Sequence, residues 1–436
     1  MKELNLSKIN PSVLLDTRKV HFVGIGGIGV SAIARMMLAE GKEVTGSDTS
    51  DSAIIYELKK LGAKIFMGHS AGNVADDVDL IVYTPAVDFE NPELKKGKKL
   101  KLPTLSYPEM LGVISKNKFT IAVSGTHGKT TTTAMIGKIL MDAKKDPTII
   151  VGSLLKEQGS NFVAGNGKYL VVEACEYKRS FLSLKPSILV ITNIDADHLD
   201  YYKDISDIER AFLELVSKLG KTGYVVCDPY GPHIREAIED ADCKVVDYTE
   251  FVDERIKLKI PGKHNILNSA AALAVSHILQ IDKKVTEKSL RDFSGTWRRF
   301  EFKGKTSQNS LVYDDYGHHP TEIMATLAGA RELHPKSKIV AVFQPHLYSR
   351  TKSHLAEFGK SFKDADLVIV ASIYAAREKK DPSINSQMLA EEIKKNKKQV
   401  IYLKTFFEIE NYLIANSDEK NVIITIGAGD VYKISD

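Results

Sequence analysis

The feature that most restricts the fold is a theme that occurs twice: an apolar run, a glycine-rich turn, then a helical pattern. The first copy is Val20-His21-Phe22-Val23, the turn Gly24 to Gly29, and Ser31 to Glu40. The second is Thr120-Ile121-Ala122-Val123, the turn Ser124 to Gly128, and Lys129 to Met141. Short apolar runs bounded by turns and followed by a 3.6-residue period read as strand, loop, helix. Parallel neighbours need a crossover between them, so this unit predicts parallel sheets with helices on both faces. More strand-like runs follow at 43–45, 79–83, 168–174, 187–193, 310–314, 338–343, 366–371, 400–403 and 421–426. The last of them enters Gly427-Ala428-Gly429-Asp430. At roughly 150 residues per domain, 436 residues predict about three domains, and we place the boundaries near 112 and 296.

Hydrophobic residues at 43% and charged residues at 27% suit packed cores and exclude a mostly disordered or fibrous chain. The net charge of +4 gives no strong field for nucleic acid or an anionic membrane. The cluster Lys95, Lys96, Lys98, Lys99 and Lys101 lacks interleaved aromatics and reads as solvated surface. Cys175, Cys227 and Cys243 are too few and too irregularly spaced for a disulfide framework or a thiolate zinc site. The opening Met1 to Asn5 shows no signal-peptide core, and no run approaches the roughly 18 apolar residues of a membrane span. The expectation is a soluble, cytoplasmic protein with neither nucleic-acid nor membrane partners.

Gly125-Thr126-His127-Gly128-Lys129-Thr130-Thr131 carries the strongest chemical signal. A glycine-rich turn between strand and helix lets backbone N–H groups wrap phosphate oxygens, and the helix N-terminus adds positive potential. Lys129 then reaches the β and γ phosphates of ATP and the Thr130 hydroxyl can ligate Mg²⁺. Glu173 ends a buried strand, and His198 follows another in Asn193-Ile194-Asp195-Ala196-Asp197-His198. Ligands of open parallel sheets bind beyond that edge, so both are candidates beside the metal, with Glu176 and Asp197 weaker ones. Cys175 reads as a small packing residue. Gly24-Ile25-Gly26-Gly27-Ile28-Gly29 fits G-x-G-x-x-G, with Asp48 placed for a ribose hydroxyl. That pattern selects a diphosphate beside a sugar, which fits NAD and a UDP-linked sugar equally. Asp314-Asp315-Tyr316-Gly317-His318-His319-Pro320-Thr321-Glu322 is the densest polar cluster and suits binding an amine and removing its proton, through His318 or His319. Phe343-Gln344-Pro345-His346 with Arg350, and Trp297-Arg298-Arg299-Phe300, bring cations to the same edge, one of that arginine pair being read as a surface residue.

Together with Pro261-Gly262-Lys263-His264-Asn265, these segments run in order across nearly the whole chain, which resembles the Mur ligases of peptidoglycan synthesis. The resemblance implies an α/β fold of three domains. These are a Rossmann-like UDP-sugar-binding domain (1–112), a central P-loop ATPase-like domain (113–296) and a Rossmann-like amino-acid-binding domain (297–436). It implies an ATP-dependent ligase joining L-alanine to the carboxylate of UDP-N-acetylmuramic acid through an acyl phosphate. Related alternatives are a ligase adding a tripeptide or another amino acid and, from another class, an NAD-dependent oxidoreductase with an accessory ATPase domain. By the same resemblance the UDP diphosphate lies on Gly24, Gly26, Gly27 and Gly29, and the ATP phosphates on the loop from Gly125. Mg²⁺ lies near Thr130, Glu173 and His198, and adenine near Asn265, with Asn268 assisting. Arg299 also serves the nucleotide, while Asp315 and His318 join Lys129, Glu173 and His198 as catalytic residues. Leu347 stands where many relatives carry Arg, and Trp297 where Gly is more usual. The implied state is a monomer or weak dimer.

Overall fold

Three sheets succeed one another along the chain in the computed structural model, which describes residues 13–376 and 378–436. Met1 to Asn5, read above for targeting, lie outside the described residues. Residues up to Asp253 with Leu267–Leu290 form one compact unit, and Glu254–Ile266 with Arg291–Asp436 form a second.

In the first unit, β1 (Lys19–Val23), β2 (Glu43–Asp48), β3 (Lys64–Met67), β4 (Leu80–Tyr83) and β5 (Thr104–Ser106) pair in the order β3-β2-β1-β4-β5, all parallel. The chain reverses its direction of growth at β1, so the glycine turn that follows β1 opens at the switch point of the sheet. The same unit holds β6 (Phe119–Ser124), β7 (Thr148–Leu155), β8 (Ser160–Val163), β9 (Tyr169–Glu173), β10 (Ile188–Ile191), β11 (Tyr224–Cys227) and β12 (Lys244–Asp247). Their order is β12-β11-β10-β6-β9-β7-β8. Phe22, Ile33 and Met37 of the first sheet layer share a continuous buried cluster with Leu170, Val172, Phe181 and Phe212 of the second. Asn161 joins the layers further, donating to Ser31 Oγ at 3.0 Å and to the Ile28 carbonyl.

The second unit carries β13 (Glu301–Lys305), β14 (Leu311–Asp315), β15 (Lys338–Phe343), β16 (Leu367–Val370), β17 (Gln399–Tyr402) and β18 (Asn421–Ile426), in the order β13-β14-β18-β15-β16-β17. Alternate residues of β15 enter different cores. Ile339, Ala341 and Phe343 pack with Phe358 and Phe362, and Val340 and Val342 pack with Ile409 and Leu413. That two-sided burial is why the run is apolar throughout.

The all-parallel expectation fails at two edges. β8 runs antiparallel to β7, and β13 antiparallel to β14. In both cases a short loop joins the strands, which permits a hairpin but no crossover. Among the described residues no helix is long and apolar enough to cross a membrane.

Candidate active site

Strand order brings the central site together. β6 lies between β10 and β9, so the turn after β6 emerges between Glu173 at the end of β9 and the segment that follows β10. Thr192 and Asn193 clamp that turn. Asn193 accepts from Thr126 N (3.0 Å) through its carbonyl and from His127 N (2.9 Å) through Oδ1, and its Nδ2 returns to the His127 carbonyl (3.0 Å). Asp195 N donates to Thr126 Oγ1 at 2.8 Å. Gly125 adopts φ +126°, and a Cβ there would meet Thr192 Oγ1 at 2.1 Å. Gly128, at φ +83°, leaves the space that Asn268 Oδ1 fills 2.4 Å from a would-be Cβ. Any side chain at either glycine would pay both steric and backbone strain.

Gly128 opens the helix Lys129–Asp142 and no side chain caps that N-terminus, so the arrangement favours an anion there. Lys129 Nζ folds back onto the carbonyls of Gly125 (2.5 Å) and Thr126 (2.9 Å) and onto Glu176 Oε1 (3.0 Å). Burial alone would lower its pKa; Glu176 foremost, with Glu173 further off, raises it above the ordinary lysine value. The ammonium is therefore charged throughout the physiological range. Thr130 Oγ1 donates to Glu173 Oε2 at 2.9 Å, and Gly152 N donates to the same oxygen at 2.9 Å. A hydroxyl and a carboxylate meeting at the mouth of a phosphate-type loop are the donor chemistry of a small hard cation such as Mg²⁺. His198 sits beside Glu176, its Nε2 3.8 Å from Oε1. Thr131 is buried within the helix, and Cys175, expected to pack, is exposed.

In the first sheet, the helix Ile28–Ala39 starts at Gly27, again without a side-chain cap. The glycine turn is held from β2: the Ser47 carbonyl accepts from Gly24 N (2.8 Å) and Ile25 N (3.0 Å), and Asp48 Oδ2 accepts from Gly26 N (2.8 Å). Asp48 thus shapes the loop, with one oxygen on Gly26 and the other on Ser50 N at 3.1 Å. Gly27 and Gly29 complete the turn into the helix.

The second unit makes its own cluster where the turns after β14, β18 and β15 emerge side by side. His319 is buried and caps the helix Pro320–Leu333, its Nδ1 accepting from Thr321 N. His318 remains nearer the open edge, Nδ1 3.1 Å from the Tyr316 carbonyl and its ring 5.9 Å from that of His346. Asp315 is committed to three donors, Phe300 N, Gly317 N and Thr326 Oγ1, at 2.8, 2.8 and 3.1 Å. Arg350 Nη1 lies 3.2 Å from His346 Nδ1. Asn265 Nδ2 donates to the Pro261 carbonyl at 2.7 Å. Arg299 is half-buried, its guanidinium 3.6 Å from Glu322 and over the Tyr316 ring. Arg298 is the buried member of the arginine pair. Only 2% exposed, it donates to Asp314 Oδ2 (2.7 Å), the Gly427 carbonyl (2.6 Å) and the Gly429 carbonyl (3.1 Å), among the rings of Trp297, Tyr316 and Tyr432.

Sequence reasoning named most of these positions but missed the clamp by Thr192 and Asn193 as part of the site, and treated Glu176 as secondary. The signal for Glu176 was an acid just past a strand end; its partner, Lys129, is far away in sequence.

Three family descriptions match consecutive stretches: "Mur ligase family, catalytic domain" at residues 19–119, "Mur ligase middle domain" at 123–251 and "Mur ligase, glutamate ligase domain" at 298–429. The chain is 44% identical to the UDP-N-acetylmuramate–L-alanine ligase of Acetivibrio thermocellus, over 97% of this chain and 96% of that one. It is 43% identical to the protein of the same name from Clostridium kluyveri, over 97% and 98%. Among solved structures it resembles the UDP-N-acetylmuramate-alanine ligase of Thermotoga maritima, with TM-score 0.79, 30% identity and coverage of 96% and 97%. Three sheets in this order, a lysine-bearing glycine turn and matches along nearly the whole length lead to one conclusion: the chain belongs to the Mur ligase family.

Proposed function

We propose that the protein is an ATP-dependent ligase that joins L-alanine to the carboxylate of UDP-N-acetylmuramic acid through an acyl phosphate, in cytoplasmic synthesis of peptidoglycan precursors. The observation that carries this reading is the charged Lys129 at the mouth of an uncapped phosphate-type loop, with Thr130 on Glu173 beside it. The choice of alanine rests on the names of relatives 42–44% identical over nearly the full chain.

A carboxylate is a poor electrophile, and transfer of the ATP γ-phosphoryl group to it supplies a good leaving group. Residues 1–112 would bind the sugar nucleotide, 113–296 the ATP and 297–436 the amino acid. The uncapped N-termini at Gly27 and Gly128 each favour one set of phosphates. When nucleotide binds, Lys129 exchanges its loop carbonyls for phosphate oxygens and stabilises the charge that shifts during transfer. Thr130 and Glu173 would hold Mg²⁺, with His198 adjacent, and the ion when bound neutralises phosphate charge. Asn268, against Gly128, is placed to help hold the nucleotide.

In the second unit, Arg350 offers a fork suited to the alanine carboxylate. His318 Nδ1 faces a carbonyl, which can only accept, so the proton resides on Nδ1 and Nε2 is the basic nitrogen that would take the amine's proton. Asp315 and His319 position that loop rather than touch the amine, given their bonds to backbone and Thr326.

The test is mass spectrometry of the product formed from UDP-N-acetylmuramate, ATP and a mixture of L-alanine, glycine, L-serine and tripeptide. The expected product is the alanyl adduct, with one ADP formed per adduct. A tripeptide adduct, or an adduct formed without nucleotide consumption, would overturn the reading.

A further inference from the structure

Beneath the glycine turn of the first sheet lies a fully buried carboxylate that the mechanism above does not use. Glu93, in the first turn of the helix Pro92–Lys99, has a side-chain exposure of 0%. Its Oε1 accepts from Asn73 Nδ2 (2.6 Å) and Ser70 N (3.2 Å), and its Oε2 accepts from Ser47 Oγ (2.6 Å). The imidazoles of His69 and His21 approach Oε2 to 3.5 and 3.6 Å. Burying a carboxylate is costly unless donors surround it, so a fold that keeps one uses it to hold those donors in place.

What it holds is the sugar-nucleotide edge. Ser47 is the residue whose carbonyl carries Gly24 N and Ile25 N. Asn73 also donates to the Gly68 carbonyl at 3.0 Å, fixing the turn that presents His69. Proton bookkeeping then settles the histidine. The single Ser47 hydroxyl proton is spent on Glu93, so at its 2.9 Å contact with His69 Nδ1 the serine oxygen can only accept. Nδ1 therefore carries the proton, and Nε2 of this partly exposed ring is an acceptor at the carboxyl edge of the sheet, next to Asp48.

We propose that Glu93 is a positioning residue for sugar-nucleotide binding: through Ser47 it locks His69 in the Nδ1–H tautomer, so that Nε2 receives an N–H or hydroxyl donor of the ligand. This rests on the reading that the Gly24–Gly29 turn takes the UDP-sugar.

Calorimetric titration of UDP-N-acetylmuramate, and separately of an ATP analogue, tests both. Wild type binds each ligand. Glu93→Gln weakens the sugar nucleotide by about tenfold, the scale of one lost hydrogen bond, and leaves the ATP analogue unchanged. His69→Ala gives a similar loss, and the double variant loses no more than either single one. Long-range ¹⁵N–¹H NMR of the His69 ring shows the Nδ1–H tautomer in wild type and a mixture in Glu93→Gln. If Glu93→Gln does not fold, Ser47→Ala, which keeps the backbone carbonyl and removes only the hydroxyl, carries the same expectations. Unchanged sugar-nucleotide affinity in these variants, additive losses, or an Nε2–H tautomer in wild type overturns the proposal alone. A wild type that binds the ATP analogue but not the sugar nucleotide overturns the reading of the glycine turn, and the proposal with it.

Discussion

Lys129 meets two opposed demands: burial disfavours its ammonium, while Glu176, with a carboxylate oxygen 3.0 Å away, keeps the proton on. Removing the side chain leaves the fold of the turn to the clamp from Asn193 and takes away the ammonium beside it. Lys129→Ala should therefore lower kcat by on the order of 10²–10³, the loss seen when a preorganised charge stabiliser is removed. Phosphate release assayed at saturating substrates checks this, and a rate near wild type would remove Lys129 from the chemistry. Residues of this kind were legible in the sequence because their roles are local: lysine, threonine and glycines sit in one turn. Residues whose role depends on a distant partner were not. His318 and His319 are equivalent in the sequence, and only the helix cap, with Glu322 reaching back to the backbone N–H groups of both residues, tells them apart. Asp48, expected at a ribose hydroxyl, also holds the loop through Gly26 N, a partner that its position in the sequence does not reveal.

At the scale of elements, strands buried on both faces were easy to read, since β6, β10, β15 and β18 are nearly continuous apolar runs. The partly exposed edge strands β3, β8, β12 and β13 mix polar and apolar types and were not read, and neither were the short β5 and the interior β7 and β11. Charge at an element junction was left undivided for a related reason: the sequence does not say which of Arg298 and Arg299 faces inward, whereas in the fold Arg298 ties β14 to the turn after β18 through one carboxylate and two carbonyls. Breaking a buried pair strands its partner, here Asp314, at 1% exposure. Arg298→Ala should cost about 3–5 kcal/mol of stability. Urea unfolding followed by fluorescence of Trp297, which packs against Tyr432, reads the second unit directly. A midpoint unchanged from wild type would show that the guanidinium is dispensable.

For the whole molecule, the division of labour between units makes a separable prediction. Both uncapped helix N-termini, the Lys129 ammonium and the Thr130–Glu173 pair belong to the first unit, while His318, His346 and Arg350 belong to the second. If acyl-phosphate formation draws on the first set and capture by the amine on the second, the two half-reactions respond to different substitutions. Arg350→Ala and His318→Ala should still form ADP in a single turnover with UDP-N-acetylmuramate and ATP, and should still yield a hydroxamate when hydroxylamine replaces alanine. Their amide formation with L-alanine should fall by about a hundredfold or more, the scale of losing a proton acceptor or a bidentate anchor. Lys129→Ala should lose the hydroxamate and the amide together. Hydroxamate yield falling in parallel with amide yield for the second-unit variants would show that their loops also build the phosphoryl-transfer site, and the assignment of one half-reaction to each unit would fail.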